Sequence, residues 1–587
     1  MNIQEKELLK QLHRKPYVNQ RELAERSGIS LGMVNRALKA LEETGFLNRD
    51  YTLTEQSLNL LKNYSPKRAV ILAAGYGMRM VPINMETPKG MIQVEGEPLI
   101  ERLIRQLHTV GIRDILVIVG FMKEQFEYLI DDFGVQLRVN AEYASSNNLH
   151  SLTLAKDWLQ NSYILPCDIY CRENPFHKEE LYSWYMVADQ PGKSRVRVNR
   201  KLELVETEKE EMGNPMIGIS YITPEDAEIL KMRLLELSDN PAHRQAFWEE
   251  ALFPGESSRM YVSARCVSSG QYIEINTYEQ LRELDSKSDQ LRNQAVTIAA
   301  QALHAKASEI RDILVMKKGM TNRSFLFTCK NQKYIMRIPD EGSDRLMDRR
   351  GEARVYKAIH GEHVGDDVLY FNPDNGYKIA RYIENARPCD PSSEEDLKLC
   401  ISFLREFHQK KLKTGRNFNI LEKAKFYESL WKSQQSAYRD YEKTREQVFS
   451  LKNYIEKYKR EKYLTHLDAV PDNFLIFTNA DGIRQVRLID WEYASMQDPY
   501  VDIAMFVISA MFDKKKVDHI IDLYFDGKCR SVDRTMIYCY ISACGFMWSN
   551  WCEYQRNLGT EFGEYSLRQY RYAKEYYRYA AADMKRE

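Results

Sequence analysis

The sequence predicts a multidomain protein of mixed class, with α/β and α+β parts and a helical N-terminal domain. The chain has 587 residues, which is too long for one hydrophobic core and suggests about three to five domains. The hydrophobic pattern also changes twice. A helical segment is followed by alternating strands and helices, and then by strands that give way to a Tyr-rich helical region. We therefore expect domains at 1–64, 67–288 and 296–587.

The composition is that of an ordinary soluble protein, with 44% hydrophobic and 29% charged residues. Because 84 Lys and Arg balance 84 Asp and Glu, no global field favours nucleic acid or acidic membranes. The cysteines form no pair of C-x-x-C motifs, so neither a zinc site nor a disulfide framework is indicated. The start MNIQEKELLK lacks the apolar core of a signal peptide, and the run VDIAMFVISAMF is too short to span a bilayer and contains Asp502. We expect a cytoplasmic protein without a membrane span.

Residues 1–64 match the winged helix-turn-helix pattern. The stretch RELAERSGISLGMVNRALKALEETGFL predicts a helix, a turn at Gly28, a second helix capped by Ser30 and a stop at Gly45. The β-like YTLTEQ then supplies a small wing. The second helix carries the side chains that would face a DNA groove: Met33, Asn35, Arg36 and Lys39.

This segment has only ten Lys or Arg against eight Asp or Glu, which is a small excess of positive charge for tight binding to phosphates. Winged helices also serve as dimerisation or docking modules. DNA contact and a structural or interaction role therefore both stay open.

A Gly-rich loop follows the first apolar strand of the middle segment in AVILAAGYGMRM. Gly75 and Gly77 let backbone N–H groups approach a polyphosphate. Arg79 can neutralise charge on it, and Lys89 in TPKGMI can reach the α-phosphate. A lone G-x-G also describes a tight turn, but the full string is more specific. It resembles the nucleotidyltransferases that activate sugar phosphates and phosphocholine.

This resemblance covers roughly residues 68–285 and implies a Rossmann-like α/β sheet, with Ala74 also in the nucleotide loop and Arg79 and Lys89 as catalytic residues. In the stretch YILPCDIY an apolar strand ends at Asp168, where the family keeps a magnesium-binding Asp; taken alone, this Asp would equally cap a turn.

The stretch QYIEINTYEQL resembles the family's second metal-ligand strand, so Glu274 would share the ion with Asp168. An Asp is usual where Asn276 stands. Asn can ligate through its carbonyl oxygen but brings no charge, which makes Glu274 the better candidate.

Two further stretches bear on the substrates. YASSNNLHSLTLA resembles the N-N-x-x-S-L run of bacterial CTP:phosphocholine cytidylyltransferases, which implies CTP bound near Asn148 and Ser151. FWEEALF resembles another part of the same subgroup. Trp248 would then face a quaternary ammonium, with Glu249 or Glu250 adding charge, although a Trp in a helix core is the alternative. The implied reaction is attack by the phosphocholine phosphate on the α-phosphorus of CTP, which releases pyrophosphate.

The C-terminal segment contains THLDAVPDNFLIF, which reads H-x-D-x-x-x-x-N. In kinase-like phosphotransferases the Asp orients or deprotonates the acceptor hydroxyl and the Asn holds magnesium. These residues are Asp468 and Asn473, with His466 bracing the loop. The apolar stretches FLIF and VRLIDWE then predict a β-hairpin that leads to a second metal ligand, Asp490. A lone D-x-x-x-x-N is a polar turn, but the two motifs in this order favour a kinase.

An upstream lobe completes the kinase pattern. KKGMTNRSFLF resembles the phosphate loop of choline kinases and aminoglycoside phosphotransferases, with Asn322 and Ser324 near the ATP phosphates. KYIMRIPD has Arg337 where Lys is usual, a departure that choline kinases tolerate. RRGEARVYKAI supplies Glu352 as the expected ion-pair partner of Arg337. The resemblance implies a protein-kinase-like bilobal fold for 296–587.

A trimethylammonium acceptor needs aromatic faces around it. Tyr493, three residues after Asp490, would form one wall next to the metal. In MWSNWCEY, Trp548 and Trp551 lie one helical turn apart and so on one face, which resembles the choline-pocket motif of choline kinases. Tyr572 in RYAKEYYRYA would add to the pocket. The alternative for these side chains is helix core.

These motifs together predict a bifunctional enzyme that makes CDP-choline, with Mg²⁺ at both active sites. The C-terminal domain would phosphorylate choline with ATP, and the central domain would use CTP to convert the phosphocholine. One alternative is the same chemistry on ethanolamine, another amino alcohol or a phosphonate. The other is a regulator that uses these domains as sensors, which would not need Asp468, Asn473 and Asp490 together. DNA contact through 1–64 and a homo-oligomer stay open.

Overall fold

The structure, a computed structural model, falls into two compact units. These are Met1–Thr297 with Ile313–Val315, and Ile298–Asp312 with Met316–Glu587. The residues that it describes are 1–77, 80, 82–83, 87–253, 260, 262–268, 270–316, 322–339, 348–431, 435–479, 481–557 and 560–586, with the backbone alone at 208–211, 292, 315 and 322.

The first unit begins with four helices that pack as a winged helix-turn-helix. The helices are α1 (Ile3–Arg14), α2 (Gln20–Ser27), α3 (Leu31–Glu43) and α4 (Glu55–Tyr64). Gly28 ends α2 at φ 68°, a left-handed conformation that suits glycine. Leu47 pairs with Leu53 to form the small wing. Each helix contributes leucines to one core: Leu8, Leu23, Leu38 and Leu61.

The rest of the first unit is built on a seven-stranded mixed sheet in the order β12-β8-β11-β6-β1-β4-β5. Its strands and helices are β1 (Arg68–Ala73), β2 (Gln93–Val94), β3 (Glu97–Pro98), α5 (Leu99–Thr109), β4 (Asp114–Val119), α6 (Leu129–Phe133), β5 (Gln136–Val139), α7 (Asn148–Leu154), β6 (Ser162–Pro166), β7 (Ile169–Cys171), β8 (Trp184–Ala188), β9 (Gly192–Val198), β10 (Leu204–Gly213), β11 (Met216–Ile222), α8 (Pro224–Ser238), β12 (Ser263–Val267), β13 (Tyr272–Glu274), α9 (Tyr278–Leu284) and α10 (Gln294–Ala302).

Strand β1 lies in the middle of this sheet and is parallel to both neighbours, β4 and β6. Alternate residues of β1 face opposite sides. Ile71 packs with Leu103 of α5 on one face, and Val70 packs with Leu152 of α7 and Leu230 of α8 on the other. The sheet is therefore covered by helices on both faces, as an α/β fold requires, and its carboxyl edge is left for a binding site.

The polar composition of DSKSDQLRNQ, residues 285–294, predicts a linker or an exposed helix, but this stretch packs against residues 82–93 of the first unit. Gln290 accepts a hydrogen bond from the backbone N–H of Gln93 at 2.9 Å and donates one to the carbonyl of Met91 at 3.2 Å. Asn293 is buried and donates to the carbonyl of Pro82. Polar side chains misled the prediction because they satisfy buried backbone groups here.

The second unit has the bilobal arrangement expected of a kinase. A five-stranded sheet in the order β14-β15-β16-β18-β17 forms one lobe with α11, and helices dominate the other. Its strands and helices are β14 (Arg311–Val315), β15 (Asn322–Cys329), β16 (Gln332–Pro339), α11 (Arg349–Ile359), β17 (Val368–Phe371), β18 (Lys378–Arg381), β19 (Arg387–Pro388), α12 (Glu394–Gln409), α13 (Ile420–Ser429), α14 (Tyr441–Ser450), α15 (Lys452–Lys457), β20 (Tyr463–Thr465), β21 (Phe474–Thr478), β22 (Arg484–Leu488), β23 (Ser495–Gln497), α16 (Tyr500–Ser509), α17 (Lys514–Tyr524), α18 (Ser531–Asn557) and α19 (Glu564–Met584). Across the described residues, no helix has the length and apolar character needed to cross a membrane.

Candidate active sites

A cavity of about 850 Å³ lies at the carboxyl edge of the first unit's sheet. Most of the predicted nucleotide and metal residues of the middle segment line it: Ala74, Gly75, Gly77, Lys89, Asn148, Ser151, Asp168, Glu274 and Asn276. The predicted Arg79 lies outside the described residues. Residues separated by up to two hundred positions thus share one cleft.

Lys89 is the cation at the centre of this cavity. Its Nζ donates to Asp168 Oδ2 and to Asn276 Oδ1, both at 2.6 Å. Burial by itself would lower the pKa of the Lys89 ammonium, but the Asp168 carboxylate raises it overall. A Cβ at Gly77, which has φ 62°, would lie 2.7 Å from Lys89 Cγ, so the glycine leaves room for the lysine stem.

Backbone pairing brings the two predicted metal carboxylates together. Strand β7 pairs antiparallel with β13, which puts Ile169 opposite Glu274. The N–H of Ile275 donates to the carbonyl of Asp168 at 2.9 Å. The backbones of Asp168 and Glu274 therefore lie close together at one edge, independently of the conformations of their side chains.

The donor chemistry of this edge fits Mg²⁺. Two carboxylates and the Asn276 amide offer oxygen ligands only. Within the described ranges, no three His, Cys, Asp or Glu side chains cluster as a metal site. Mg²⁺ needs only one or two carboxylates when phosphates and water supply its other ligands. The residues that would hold it are Asp168 and Glu274.

The Asn-Asn run ties a loop to helix α7. Asn147 caps this helix, and its Oδ1 accepts the N–H of Asn148 at 2.8 Å. Asn148 Oδ1 accepts the backbone N–H of Trp248 at 2.8 Å. The Ser151 hydroxyl accepts from Asn140 Nδ2 at 3.0 Å. These polar side chains line the cavity, and their hydrogen bonds also hold its wall in place.

Trp248 is placed in the core and not on the cavity wall, which corrects the expectation that it faces a ligand. The indole is 1% exposed and packs 5.8 Å from the ring of Tyr185. The aromatic residues of this stretch that line the cavity are Phe247 and Phe253. Glu249 also lines it, and its Oε1 accepts from the Tyr185 hydroxyl at 2.8 Å. Burial raises the pKa of the Glu249 carboxyl to about 7.

In the second unit the predicted catalytic loop is compact. Asn473 Nδ2 donates to the carbonyl of Asp468 at 2.9 Å and to its Oδ2 at 3.1 Å. The N–H of Ile489 donates to the Asn473 carbonyl at 2.9 Å, which brings Asp490 beside the loop. Burial and the charges of Asp490 and Glu492 raise the pKa of Asp468 to about 8. The side-chain oxygens of Asp468, Asn473 and Asp490 are the ligand type that Mg²⁺ prefers, so this site also fits the ion, and Asn473 and Asp490 are the residues that would hold it.

Asp502 supports this loop and was not predicted as a site residue. It is fully buried and accepts the N–H of His466 at 2.9 Å, the N–H of Leu467 at 2.7 Å, and His408 Nε2 at 3.0 Å. Leu467 is left-handed at φ 65°, so the backbone before Asp468 needs such a restraint. The sequence feature that could have identified Asp502 is its position as the single acidic residue in the apolar run VDIAMFVISAMF.

The predicted pair of Arg337 and Glu352 is part of a larger buried cluster. Arg337 Nη1 lies 2.7 Å from Glu352 Oε1, 3.7 Å from Asp490 Oδ1 and 3.9 Å from Glu492 Oε2. Arg349 Nη1 lies 3.2 Å from Glu352 and 3.4 Å from Glu492. Arg349 and Glu492 were missed because 143 positions separate them. The cluster joins helix α11 to the turn that carries Asp490.

Two predicted residues of the phosphate loop lie on strand β15. Ser324 is opposite Arg337 in the antiparallel pairing of β15 with β16. Asn322 begins β15, and its side chain lies outside the described residues.

The predicted tryptophans of α18 are mostly buried. Their rings are 5.2 Å apart and nearly perpendicular. The Trp548 N–H donates to the sulfur of Met505 at 3.3 Å, and Trp551 packs 4.9 Å from Phe562. Trp551 thus belongs to an aromatic cluster that continues to Tyr565 of α19, 6.4 Å from Phe562.

The charge of Asp468 acts on three tyrosine hydroxyls of the second unit. Burial, together with the charge of Asp468, raises the pKa of the Tyr427, Tyr493 and Tyr565 hydroxyls. Of these only Tyr493 was predicted. The expectation for Tyr572 is corrected, since it is 1% exposed and its hydroxyl donates to a core carbonyl. Tyr565, two helical turns earlier on α19, is the predicted Tyr572's counterpart in that the charge of Asp468 contributes to its raised pKa.

Three family models match the chain: Winged helix-turn-helix DNA-binding at 1–48, MobA-like NTP transferase domain at 69–183, and Choline/ethanolamine kinase at 313–523. Choline-phosphate cytidylyltransferase of Streptococcus pneumoniae is 47% identical over 118 residues, which are 20% of this chain and 52% of that protein. The chain thus spans about half the length of this relative.

Two other similarities are more complete. The 2-aminoethylphosphonate cytidylyltransferase of Lancefieldella rimae is 30% identical over 231 residues, which are 38% of this chain and 94% of that protein. A crystal structure of the choline kinase LicA from Streptococcus pneumoniae shares 27% identity and covers 48% of this chain and 98% of that one, with a TM-score of 0.41. The chain therefore belongs to the NTP transferase family that includes these cytidylyltransferases, and it carries a winged helix-turn-helix domain before this part and a choline/ethanolamine kinase domain after it.

Proposed function

We propose that the protein is a bifunctional enzyme that makes CDP-choline from choline, ATP and CTP. The observation that carries this proposal is the presence of two separate acidic sites in one chain. One holds Asp168 and Glu274 beside a buried lysine, and the other holds Asp468 and Asp490 beside a buried arginine. Because ATP and CTP are cytoplasmic nucleotides, we expect the reactions in the cytoplasm.

In the first reaction the hydroxyl oxygen of choline attacks the γ-phosphorus of ATP, and ADP leaves. Asp468 orients the hydroxyl and accepts its proton. Its raised pKa makes it a stronger base than an exposed aspartate, while nearby cations would lower that pKa again. Arg337 attracts the phosphates. Mg²⁺, held by Asn473 and Asp490, would supply charge neutralisation.

In the second reaction a phosphate oxygen of phosphocholine attacks the α-phosphorus of CTP, and pyrophosphate leaves. The attacking oxygen is already ionised, so no general base is required. Backbone N–H groups at Gly75 and Gly77 approach the triphosphate, and Lys89 balances charge on the α-phosphate. Mg²⁺ at Asp168 and Glu274 would supply further neutralisation.

Choline is favoured over ethanolamine by the aromatic surroundings of Asp468. Burial, with a smaller contribution from the charge of Asp468, raises the pKa of Tyr427, Tyr493 and Tyr565, so these aromatic side chains are the candidates for faces around the acceptor. A quaternary ammonium gains about 0.5 to 2 kcal/mol from such faces, whereas a primary ammonium also needs hydrogen-bond acceptors. A phosphonate substrate already carries its phosphorus in a C–P bond and needs no O-phosphorylation. The kinase domain would then have no reaction to catalyse in this pathway.

The test uses the purified full chain with choline, ATP, CTP and Mg²⁺. We expect CDP-choline from wild type. Asp468→Ala should form it only when phosphocholine is added, and Asp168→Asn should accumulate phosphocholine. A parallel series with ethanolamine fixes the acceptor. If Asp468→Ala still consumes choline, or if ethanolamine is the better substrate at equal concentration, the proposal is wrong.

A second proposal is DNA contact through residues 1–64, favoured by exposed Asn35, Arg36 and Lys39 on α3. Binding should be measured by fluorescence anisotropy with a labelled duplex at several salt concentrations. Loss of two phosphate contacts in an Arg36→Ala/Lys39→Ala variant should reduce the salt slope by about two. Equal slopes for both proteins would refute specific use of α3.

A further inference from the structure

The winged helix is joined to the nucleotidyltransferase part by a chain of four charges whose two central members, Lys10 and Glu180, are buried. Lys10 Nζ of α1 lies 2.7 Å from Glu180 Oε2, and these side chains are 2% and 0% exposed. Glu180 also pairs with Arg265 Nη2 at 2.8 and 3.0 Å, and Lys10 pairs with Glu7 at 3.1 Å. Two acids balance two bases, so the charges can be buried together. Burial raises the pKa of Glu180, but Arg265 and Lys10 lower it to about 2.

Apolar and backbone contacts accompany this chain. Leu181 is buried in the leucine core of the winged helix, and the Tyr182 hydroxyl donates to Glu7 at 3.3 Å. At the end of α4, Asn161 Nδ2 donates to the carbonyl of Asn63 at 2.8 Å. A domain held only by a flexible tether would lack such contacts. The winged helix is therefore part of the same packed body.

The segment that contains Glu180 follows directly after strand β7, which pairs with β13 beside the predicted metal ligands Asp168 and Glu274. Residues 172–183, all of them described by the structure, run from β7 to β8 and contain no helix or strand, so no ladder of backbone bonds holds them. Side-chain contacts hold them instead, among them those of Asn174, the pairs of Glu179 with α1, and the buried contacts of Glu180. The Tyr163 hydroxyl donates to Glu180 Oε1 at 3.1 Å, and Tyr163 lies on β6, which ends two residues before Asp168. Strand β7 begins immediately after Asp168. Glu180 is thus connected to both sides of this carboxylate.

We propose that the winged helix positions the metal carboxylates for cytidylyl transfer. Lys10, through Glu180, holds the segment 172–183 and with it the pairing of β7 with β13 that sets Asp168 beside Glu274. Lys10 is a positioning residue, because it acts through Glu180. This inference rests on the proposed cytidylyltransferase activity, and it gives the N-terminal domain a role that needs no DNA.

The test compares Lys10→Met with Lys15→Met in the full chain. Lys15 is a matched control because it is 60% exposed and pairs at 2.7 Å with Glu22 of the same domain. The Mg²⁺ concentration for half-maximal CDP-choline formation from phosphocholine and CTP should rise about 2- to 30-fold in Lys10→Met. It should not change in Lys15→Met, and Lys10→Arg should restore most of the loss. Choline phosphorylation, in the other unit, should be unchanged throughout.

A second readout is independent of activity. Amide hydrogen exchange at residues 169–171 should be faster in Lys10→Met than in wild type or Lys15→Met. A lower melting temperature with wild-type Mg²⁺ dependence and wild-type exchange would mean that Lys10 only stabilises the fold, and would refute the proposal. If wild type forms no CDP-choline, the proposed function fails, and the exchange rates alone decide whether Lys10 orders β7.

Discussion

Removal of Arg337 or Glu352 tests whether the kinase unit depends on its buried charge cluster. The two side chains are 5% and 1% exposed, and their closest atoms are 2.7 Å apart. At an effective dielectric constant of about 20, two unit charges at this distance attract by about 6 kcal/mol. Loss of one partner leaves the other buried with only its longer contacts, which are Arg349 for Glu352 and Asp490 and Glu492 for Arg337, and breaking such a buried pair costs about 3 to 5 kcal/mol.

The double variant should be less affected than these costs suggest. When Arg337→Met and Glu352→Met are combined, Arg349 and Glu492 remain paired at 3.4 Å and the net charge of the cluster does not change. We expect each single variant to lose about 3 to 5 kcal/mol of unfolding free energy in the second unit. The double variant should lose no more than either single one, which corresponds to a coupling of at least about 3 kcal/mol.

The measurement is denaturant unfolding followed by loss of choline phosphorylation, with CDP-choline formation from phosphocholine as an internal control for the first unit. The matched control pair is Lys413 and Glu461, which are 2.8 Å apart but 64% and 59% exposed. Because water and salt screen an exposed pair, their coupling should be much smaller than that of the buried pair. In Glu352→Met the nearest carboxylates to Arg337 are Asp490 and Glu492, so we also expect a higher Mg²⁺ requirement for phosphorylation.

Additive effects of the two substitutions, within about 0.5 kcal/mol, would refute this reasoning. A double variant with a lower unfolding free energy than both single variants would also refute it. That result would mean that removing the second charge does not relieve the cost of the unpaired first one.

Three further predictions concern single positions. The pKa of Glu249 is raised to about 7, so its carboxyl is neutral below that pH; the KM for phosphocholine should fall as pH rises from 6 to 8, and Glu249→Gln should abolish this dependence. Gly77→Ala should reduce CDP-choline formation at least about ten-fold, because the new Cβ displaces Lys89. Asp502→Asn loses charge-assisted bonds worth about 1.5 to 3 kcal/mol each, so choline phosphorylation and the melting temperature of the second unit should both fall.

Each of these has a control in the chain. Glu250→Gln should keep the pH dependence of the phosphocholine KM; its loss there would contradict the role given to Glu249. Gly96 has φ 81°, and a Cβ added to it would meet no described atom within 4 Å. Gly96→Ala should therefore share the backbone strain of Gly77→Ala, about 1 to 2 kcal/mol, without loss of activity. CDP-choline formation from phosphocholine should stay normal in Asp502→Asn, and a decrease there would argue against a local effect.

Motifs that act within a few residues could be predicted from the sequence. The Gly-rich loop with Lys89 and the run from Asp468 to Asn473 depend on local backbone geometry, because strand, turn and side chain follow one another. The winged helix was predicted for the same reason, from helix periodicity and the turn at Gly28. Predictions failed where burial decides. The stretch FWEEALF does not say which of its aromatic residues turns into the core.

The sequence by itself determined the three kinds of domain and the chemistry of their loops, since spacing along the chain is enough to fix those. Only the tertiary structure decided which distant side chains meet. Asp502 restrains a loop 36 residues before it, the charge of Asp468 acts on Tyr565 rather than Tyr572, and Lys10 reaches Glu180 across 170 positions. Such contacts depend on how helices and strands pack, and packing leaves no periodic signal in the chain.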